Sequence, residues 1–251
     1  MNWVLDLDGV VWLAELPIPG AADAVRQLQT AGEAVVFVTN NSYATEADYR
    51  AKLERHGIEG RGAIVSSASA AASLFEPGDR VLSCAGPGVV EAIEKRGATV
   101  VEGGQPDVVV VGFHRDFTYE RMRIAANAVR AGARLIATND DATYPTPEGL
   151  IPGAGSILAG IERASGVRAV VAGKPYAPMA AIVRSRVGDD PGIVVGDRSD
   201  TDGELAQKLG YRFALVLTGV TSEREAGFVQ PRPDEVASDL AALVDRYTSA
   251  R

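Results

Sequence analysis

Short apolar runs rich in Val and Ile recur along this chain, and most are followed by an alanine-rich stretch of helical spacing. That alternation constrains the fold more than any other feature. The runs are Trp3 to Leu5, Ala34 to Val38, Val108 to Val111, Arg168 to Ala172, Ile193 to Val195 and Phe213 to Leu217. Continuous apolarity over so few residues fits strands buried on both faces of a parallel sheet. Helical spacing is found over Ala21 to Ala31, Thr45 to His56, Thr118 to Ala131 and Thr201 to Leu209, and Gly32, Gly57, Gly132 and Gly210 follow these directly. A glycine there reads as the left-handed residue that ends a helix. Strand alternating with helix predicts an α/β fold, a doubly wound parallel sheet of Rossmann-like type covered by crossover helices.

The chain length of 251 residues suits one large domain or two modest ones. A turn at Glu76-Pro77-Gly78-Asp79 and a Gly-rich stretch from Gly149 to Gly155, preceded by Pro147 and carrying Pro152, punctuate the middle. Between them the strand–helix pattern restarts. Residues 1–76 and 171–251 are therefore expected to form a core, with 77–170 inserted as a second α/β domain.

Charge narrows the function. With 25 Lys+Arg against 33 Asp+Glu the net charge is −8, which disfavours nonspecific attraction to nucleic acid or to an anionic membrane. An anionic substrate must be drawn by a local positive site. The single cysteine, Cys84, allows no internal disulfide, and there is neither a long apolar run nor a basic leader. A cytoplasmic location is the expectation. Two histidines, His56 and His114, far apart in sequence, give a zinc site or a serine–histidine triad little to draw on.

Ligands of doubly wound sheets lie at the carboxyl ends of strands. Four expected strand ends carry polar groups here: Asp6-Leu7-Asp8-Gly9, Thr39-Asn40-Asn41, Gly173-Lys174-Pro175, and Gly196-Asp197 with Asp200 and Asp202 close behind. If Asp6, Asp8, Asp197 and Asp202 crowd together they cannot all stay ionised without cations, and Lys174 supplies one positive charge. Oxygen donors of this kind select a hard divalent ion such as magnesium. Gly173-Lys174 lacks the spacing of a P-loop, and Ala85-Gly86-Pro87-Gly88 lacks the third glycine of a dinucleotide site. Trp12 reads as a buried aromatic.

The order of these motifs resembles the haloacid dehalogenase (HAD) superfamily of aspartate-nucleophile phosphatases, over nearly the whole chain. Asp6-Leu7-Asp8-Gly9-Val10, Thr39-Asn40-Asn41, Gly173-Lys174-Pro175 and Gly196-Asp197 through Thr201-Asp202 are similar to subfamily IIA, the NagD-type and p-nitrophenyl phosphatases. The middle is similar too: Val111-Gly112-Phe113, Ala137-Thr138-Asn139-Asp140-Asp141 and Ile151-Pro152-Gly153-Ala154-Gly155-Ser156, a region that in the subfamily forms an α/β cap.

The resemblance implies that Asp6 attacks phosphorus and that Asp8 protonates the leaving oxygen and then deprotonates water. It implies phosphoryl binding by Thr39 and Asn40, charge stabilisation by Lys174, and magnesium held by Asp6, the Asp8 carbonyl and Asp197, with Asp202 as an outer partner. Asn41 and the cap residue Asp141 join the substrate-binding expectation. His114 and the stretch Arg198-Ser199-Asp200 depart from the pattern. The implied activity is hydrolysis of small phosphate monoesters such as sugar, polyol or nucleotide phosphates. A phosphotransferase or mutase would share the aspartyl-phosphate, and a receiver-like module would bind phosphate without turnover. Oligomeric state is open, a homodimer through the cap being one arrangement compatible with the sequence.

Overall fold

The computed structural model describes residues 1–59, 63–146 and 149–249. It divides into two compact units, the first comprising Met1–Thr39, Ala47–Val65 and Lys174–Arg251, the second Asn40–Glu46 and Ser66–Gly173.

The first unit is built on a six-stranded sheet in the order Glu235–Ala237, Arg212–Val216, Gly192–Gly196, Asn2–Asp6, Ala34–Thr39, Ala63–Ser66. The pairs from Glu235–Ala237 across to Ala34–Thr39 are parallel. Asn2–Asp6 lies centrally because it is apolar enough for both faces, every one of its residues being buried. Its neighbours are Ala34–Thr39, from the amino-terminal part of the chain, on one side and Gly192–Gly196, from the carboxy-terminal part, on the other, so the winding reverses there. Reversal opens a crevice at the carboxyl ends of the strands, where Asp6, Thr39 and Asp197 stand. The helix Ala21–Thr30 buries Ala21, Ala24, Val25 and Leu28 and packs against the helix Leu240–Ser249.

The second unit has its own parallel sheet, in the order Val170–Val171, Arg134–Ala137, Val108–Val111, Arg80–Cys84, Thr99–Val101. Leu82, Cys84, Val109, Val111, Leu135 and Ala137 form its core with the helices Tyr119–Arg130 and Ala154–Ser165. A hairpin of Thr143–Thr146 and Gly149–Pro152 stands beside it, and the Pro147 of the expected Gly-rich turn lies outside the described residues.

Gly32, Gly57, Gly132 and Gly210 all take positive φ after their helices, as their position in sequence predicts. Other expectations differ from the structure. Arg168 to Ala172 reads as a strand buried on both faces. It is a two-residue edge strand, Val170–Val171, with Val170 54% exposed, and it pairs with Ile136 and Ala137 of the second unit. A short apolar run has the same signature at a sheet edge as in its centre. Lys174 accordingly does not end a strand of the sheet that carries Asp6.

The Glu76–Asp79 turn lies within the second unit, whose longer stretch runs from Ser66 to Gly173, because the preceding helix Ser67–Ala72 packs on the helix Pro87–Lys95. The helix expected over Thr201 to Leu209 is confined to Glu204–Leu209 and preceded by a wide π-type turn, Ser199–Gly203. Among the described residues, no helix is long and apolar enough to cross a membrane.

Candidate active site

Local sequence explains how the first strand presents its carboxylates. After Asp6 the chain closes a tight loop: Val11 N–H and Trp12 N–H both donate to the Leu7 carbonyl, at 2.9 and 3.1 Å, and Gly9 N–H donates to the Trp12 carbonyl at 2.7 Å. Gly9 sits at φ 86°, and a side chain there would meet Asp197 Oδ2 at 2.6 Å. Gly219 approaches the same carboxylate, an added Cβ lying 1.9 Å from Oδ2. The two glycines let backbone close around Asp197, whose Oδ2 accepts the Val220 N–H at 2.6 Å.

Lys174 places its ammonium between two carboxylates of this site. Its Nζ lies 2.7 Å from Asp6 Oδ1 and 2.7 Å from Asp202 Oδ1, and the three residues are buried. Asp6 Oδ1 also accepts the Leu7 N–H at 2.8 Å. The π-type turn swings Asp202 inward: the N–H groups of Asp202 and Gly203 both reach the Arg198 carbonyl, at 2.9 and 3.3 Å, and Asp202 Oδ2 in turn accepts the Arg198 N–H at 3.2 Å. One carboxylate oxygen from each of Asp6, Asp197 and Asp202 falls within 4.8 Å of the others.

The electrostatics follow from burial. Asp6 is raised well above the usual carboxylate range by desolvation, which the Lys174 ammonium opposes and the Asp202 and Asp197 charges reinforce. Asp197 is pushed up to about 6, first by burial and then by the Asp202 charge. For Lys174 burial favours the neutral form, but Asp202 and Asp6 outweigh it and hold the ammonium firmly charged. The carboxylates thus repel one another with a single ammonium between them, and all their donors are oxygens. A hard divalent cation fits, because its charge would favour the ionised forms that burial and then mutual repulsion disfavour at Asp6 and Asp197.

Asp8 is held differently. Its Oδ1 accepts the Trp12 indole N–H at 3.1 Å, and the Thr39 side chain also hydrogen-bonds it. Burial raises its pKa, opposed first by Lys52 and then by the Trp12 hydrogen bond.

The first unit therefore brings together Asp6, Asp8, Thr39, Lys174, Asp197 and Asp202. Asn40, Asn41 and Asp141 belong to the second unit. There Asp141 Oδ2 accepts amide N–H groups from Asn40 at 3.0 Å and Asn139 at 2.6 Å, and Asn41 Nδ2 donates to Tyr144 at 3.4 Å. Gly153 and Gly155 allow the helix start to approach the Asp140 and Asp141 carbonyls. His114 is buried, its Nδ1 3.2 Å from the Gly112 carbonyl and its ring edge-on to Phe117. Asp200 pairs with Arg198 at 2.8 Å on the surface. Gly88 packs its backbone against Tyr43 and Ala44, so the glycines of the 85–88 turn serve a close chain contact.

Comparison with known proteins decides the family. A family model described as haloacid dehalogenase-like hydrolase matches residues 3–99, and one described as HAD-hydrolase-like matches residues 171–243. The chain is 35% identical to the D-glycerol 3-phosphate phosphatase of Mycobacterium tuberculosis over 96% of its own length and 70% of that protein. The p-nitrophenyl phosphatase from Archaeoglobus fulgidus superposes with a TM-score of 0.91 at 30% identity, covering 98% of both chains. The chain belongs to the haloacid dehalogenase superfamily.

This HAD enzyme falls in the NagD-type, p-nitrophenyl phosphatase-like subfamily IIA. A solved glycerol phosphate phosphatase from M. tuberculosis in complex with magnesium superposes with a TM-score of 0.88 at 35% identity, over 96% of this chain and 75% of that one. Two partners of the HAD site escape motif reading. Trp12 meets Asp8 through its indole N–H, and Thr218 through its hydroxyl donates to the Gly9 carbonyl at 2.5 Å. The signal for Trp12 is its place four residues after Asp8 in a loop that must turn back on itself; Thr218 carries no signal.

Proposed function

We propose that this chain is a magnesium-dependent phosphomonoesterase for small phosphate esters, working through an aspartyl-phosphate on Asp6. The observation that carries the reading is the buried Lys174 ammonium, 2.7 Å from Asp6 and 2.7 Å from Asp202, with Asp197 alongside. One carboxylate of such a cluster must keep a lone pair available for attack while the others hold charge in place. Lys174 and the Leu7 N–H fix Asp6 through Oδ1, so attack falls to Oδ2.

In the first step Asp6 Oδ2 forms a bond to phosphorus as the ester P–O bond breaks, and Asp8 gives its proton to the departing alcohol oxygen. In the second step Asp8 takes a proton from water, whose oxygen bonds to phosphorus as the bond to Asp6 breaks, releasing inorganic phosphate. Two carboxyls are needed because one group cannot be both nucleophile and proton carrier. The upward displacement of Asp8 suits the acid role.

Lys174 stabilises negative charge on the phosphoryl oxygens, Asp202 holds Lys174 in place, and Thr39 and Asn40 bind the phosphoryl group. Asp6, Asp197 and the Asp8 carbonyl would hold the metal. Magnesium, when bound, supplies positive charge against the carboxylates and the phosphoryl oxygens. The magnesium complex of the M. tuberculosis relative supports that choice of ion.

The second unit, with Asp141 and Asn41, is assigned to selecting the leaving group, as a cap. Small polyol phosphates are the substrate class that the relative's name supports. Release of p-nitrophenol from p-nitrophenyl phosphate, with magnesium and with a chelator, tests the reading. Turnover that needs the metal and is lost in Asp6→Asn is expected. Activity that survives in Asp6→Asn, or that ignores the chelator, overturns it.

A further inference from the structure

We infer that Trp12 is a positioning residue for the proton-transfer carboxyl, its indole N–H fixing Asp8 Oδ1 as an acceptor so that the mobile proton resides on Oδ2. The inference rests on the reading above, in which Asp8 is the acid and then the base.

The chain has two tryptophans, and both are buried. Trp3 Nε1 finds no hydrogen-bond partner among the described residues, which do not supply an acceptor to every buried indole. Trp12 spends its one polar atom on Asp8, at 3.1 Å. Its backbone is tied to the same loop from both sides, the N–H donating to Leu7 and the carbonyl accepting from Gly9. Little freedom is left in the position of the indole relative to Asp8.

A second contact acts on the ring itself. Lys52 Nζ stands 4.4 Å from the ring centroid, and the ammonium is held there by the Ala14 carbonyl at 2.6 Å and Glu15 at 3.3 Å. A cation over an indole face draws π density toward it and makes the N–H a stronger donor. Asp8 is thus gripped by an aromatic donor on one oxygen, and proton transfer to the ester oxygen proceeds from the other. Without the N–H, Asp8 keeps the Thr39 hydrogen bond but Oδ1 loses the indole donor, so the proton is confined to Oδ2 less well and fewer encounters have the acid in place.

An orienting role differs from a packing role in its dependence on the leaving group. A weakly basic leaving group such as p-nitrophenolate departs with little help from an acid, whereas phenolate needs the proton more. The ratio of kcat/KM for p-nitrophenyl phosphate to that for phenyl phosphate, measured on one preparation, is independent of the fraction of active protein. Trp12→Phe should raise this ratio by about threefold to tenfold over wild type, and Asp8→Asn by more, since general acid catalysis is worth roughly 100-fold or more. Replacing Trp12 by 3-benzothienylalanine, which keeps the shape and lacks the N–H, should raise it as Trp12→Phe does, and covers the case in which the phenylalanine variant does not fold.

An unchanged ratio in both Trp12 variants, alongside a raised ratio in Asp8→Asn, overturns the inference and leaves the proposed function standing. An unchanged ratio in Asp8→Asn overturns both the acid assignment and the inference. A wild-type protein inactive on both esters defeats the proposed function itself.

Discussion

Lys174 holds Asp6 at 2.7 Å, Nζ to Oδ1, where neither residue is more than 7% exposed. A lysine enters such a place only if its charge is answered, and here Asp6 and Asp202 both answer it. The pair fixes the rotamer of Asp6 and supplies positive charge at the atom beside the nucleophile. Removing the ammonium leaves two buried carboxylates facing each other, a change that costs about 3–5 kcal/mol when one partner of a buried pair is lost. Lys174→Met is therefore expected to lower the denaturant midpoint markedly and to cut kcat/KM for p-nitrophenyl phosphate by about 100-fold or more. Chemical denaturation and steady-state kinetics on the same variant check both halves.

Asp197 gives the pH dependence a definite sign. Its carboxyl is pushed up to about 6 by burial and the Asp202 charge, above an unfolded value of 3.8. A raised carboxyl contributes stability that is fully present below the unfolded value and is lost as pH rises through about 6. Metal binding requires the deprotonated form and offsets the same repulsion. The increase in Tm produced by magnesium should therefore be small near pH 5 and grow toward pH 7.5. Thermal unfolding with magnesium and with chelator across that range measures it; an increase that does not vary with pH contradicts the assignment.

Gly219 bears on the same carboxylate by sterics alone. An added Cβ would lie 1.9 Å from Asp197 Oδ2, and Gly219 is not among the glycines with positive φ. Gly219→Ala must push Asp197 aside or move its own loop. Magnesium affinity is expected to fall by about tenfold, within the range seen when groups supporting metal ligands are disturbed. Titrating activity against magnesium concentration reads the change.

Much of this arrangement is legible in the sequence. Asp6 and Thr39 end strands whose apolar runs are unmistakable, and Asp197 directly follows a third, since a strand buried on both faces leaves a strong pattern. Lys174 is legible as a residue type and misplaced as an element, because Val170–Val171 is too short for periodicity to reveal which sheet it joins. The inward swing of Asp202 depends on one extra residue in the turn at Ser199–Gly203, which helical spacing cannot show. Trp12 is legible as a buried ring, but its partner follows from the direction of the indole N–H, a property of the folded loop.

Cys84 supplies a test of the second unit. It is fully buried in that unit's core, and burial pushes its thiol up to about 12. The thiolate is the reactive form, so native protein at pH 8 should resist a thiol reagent that labels the unfolded chain at once. The linked stability is intact below the unfolded value of about 9 and declines as pH rises toward 12. Rapid native labelling would show that the Leu82, Val109 and Ala137 core opens readily.

The proposed reaction passes through a covalent bond at Asp6. Mass spectrometry of acid-quenched protein measures it most directly, using Asp8→Asn to slow hydrolysis of the intermediate, with p-nitrophenyl phosphate and magnesium present. A phosphoryl group located on Asp6, and absent when Asp6→Asn is added to the same protein, is the result the account predicts. Turnover by wild type with no phosphoryl group on Asp6 in the trapped variant, or one on another side chain, would contradict it.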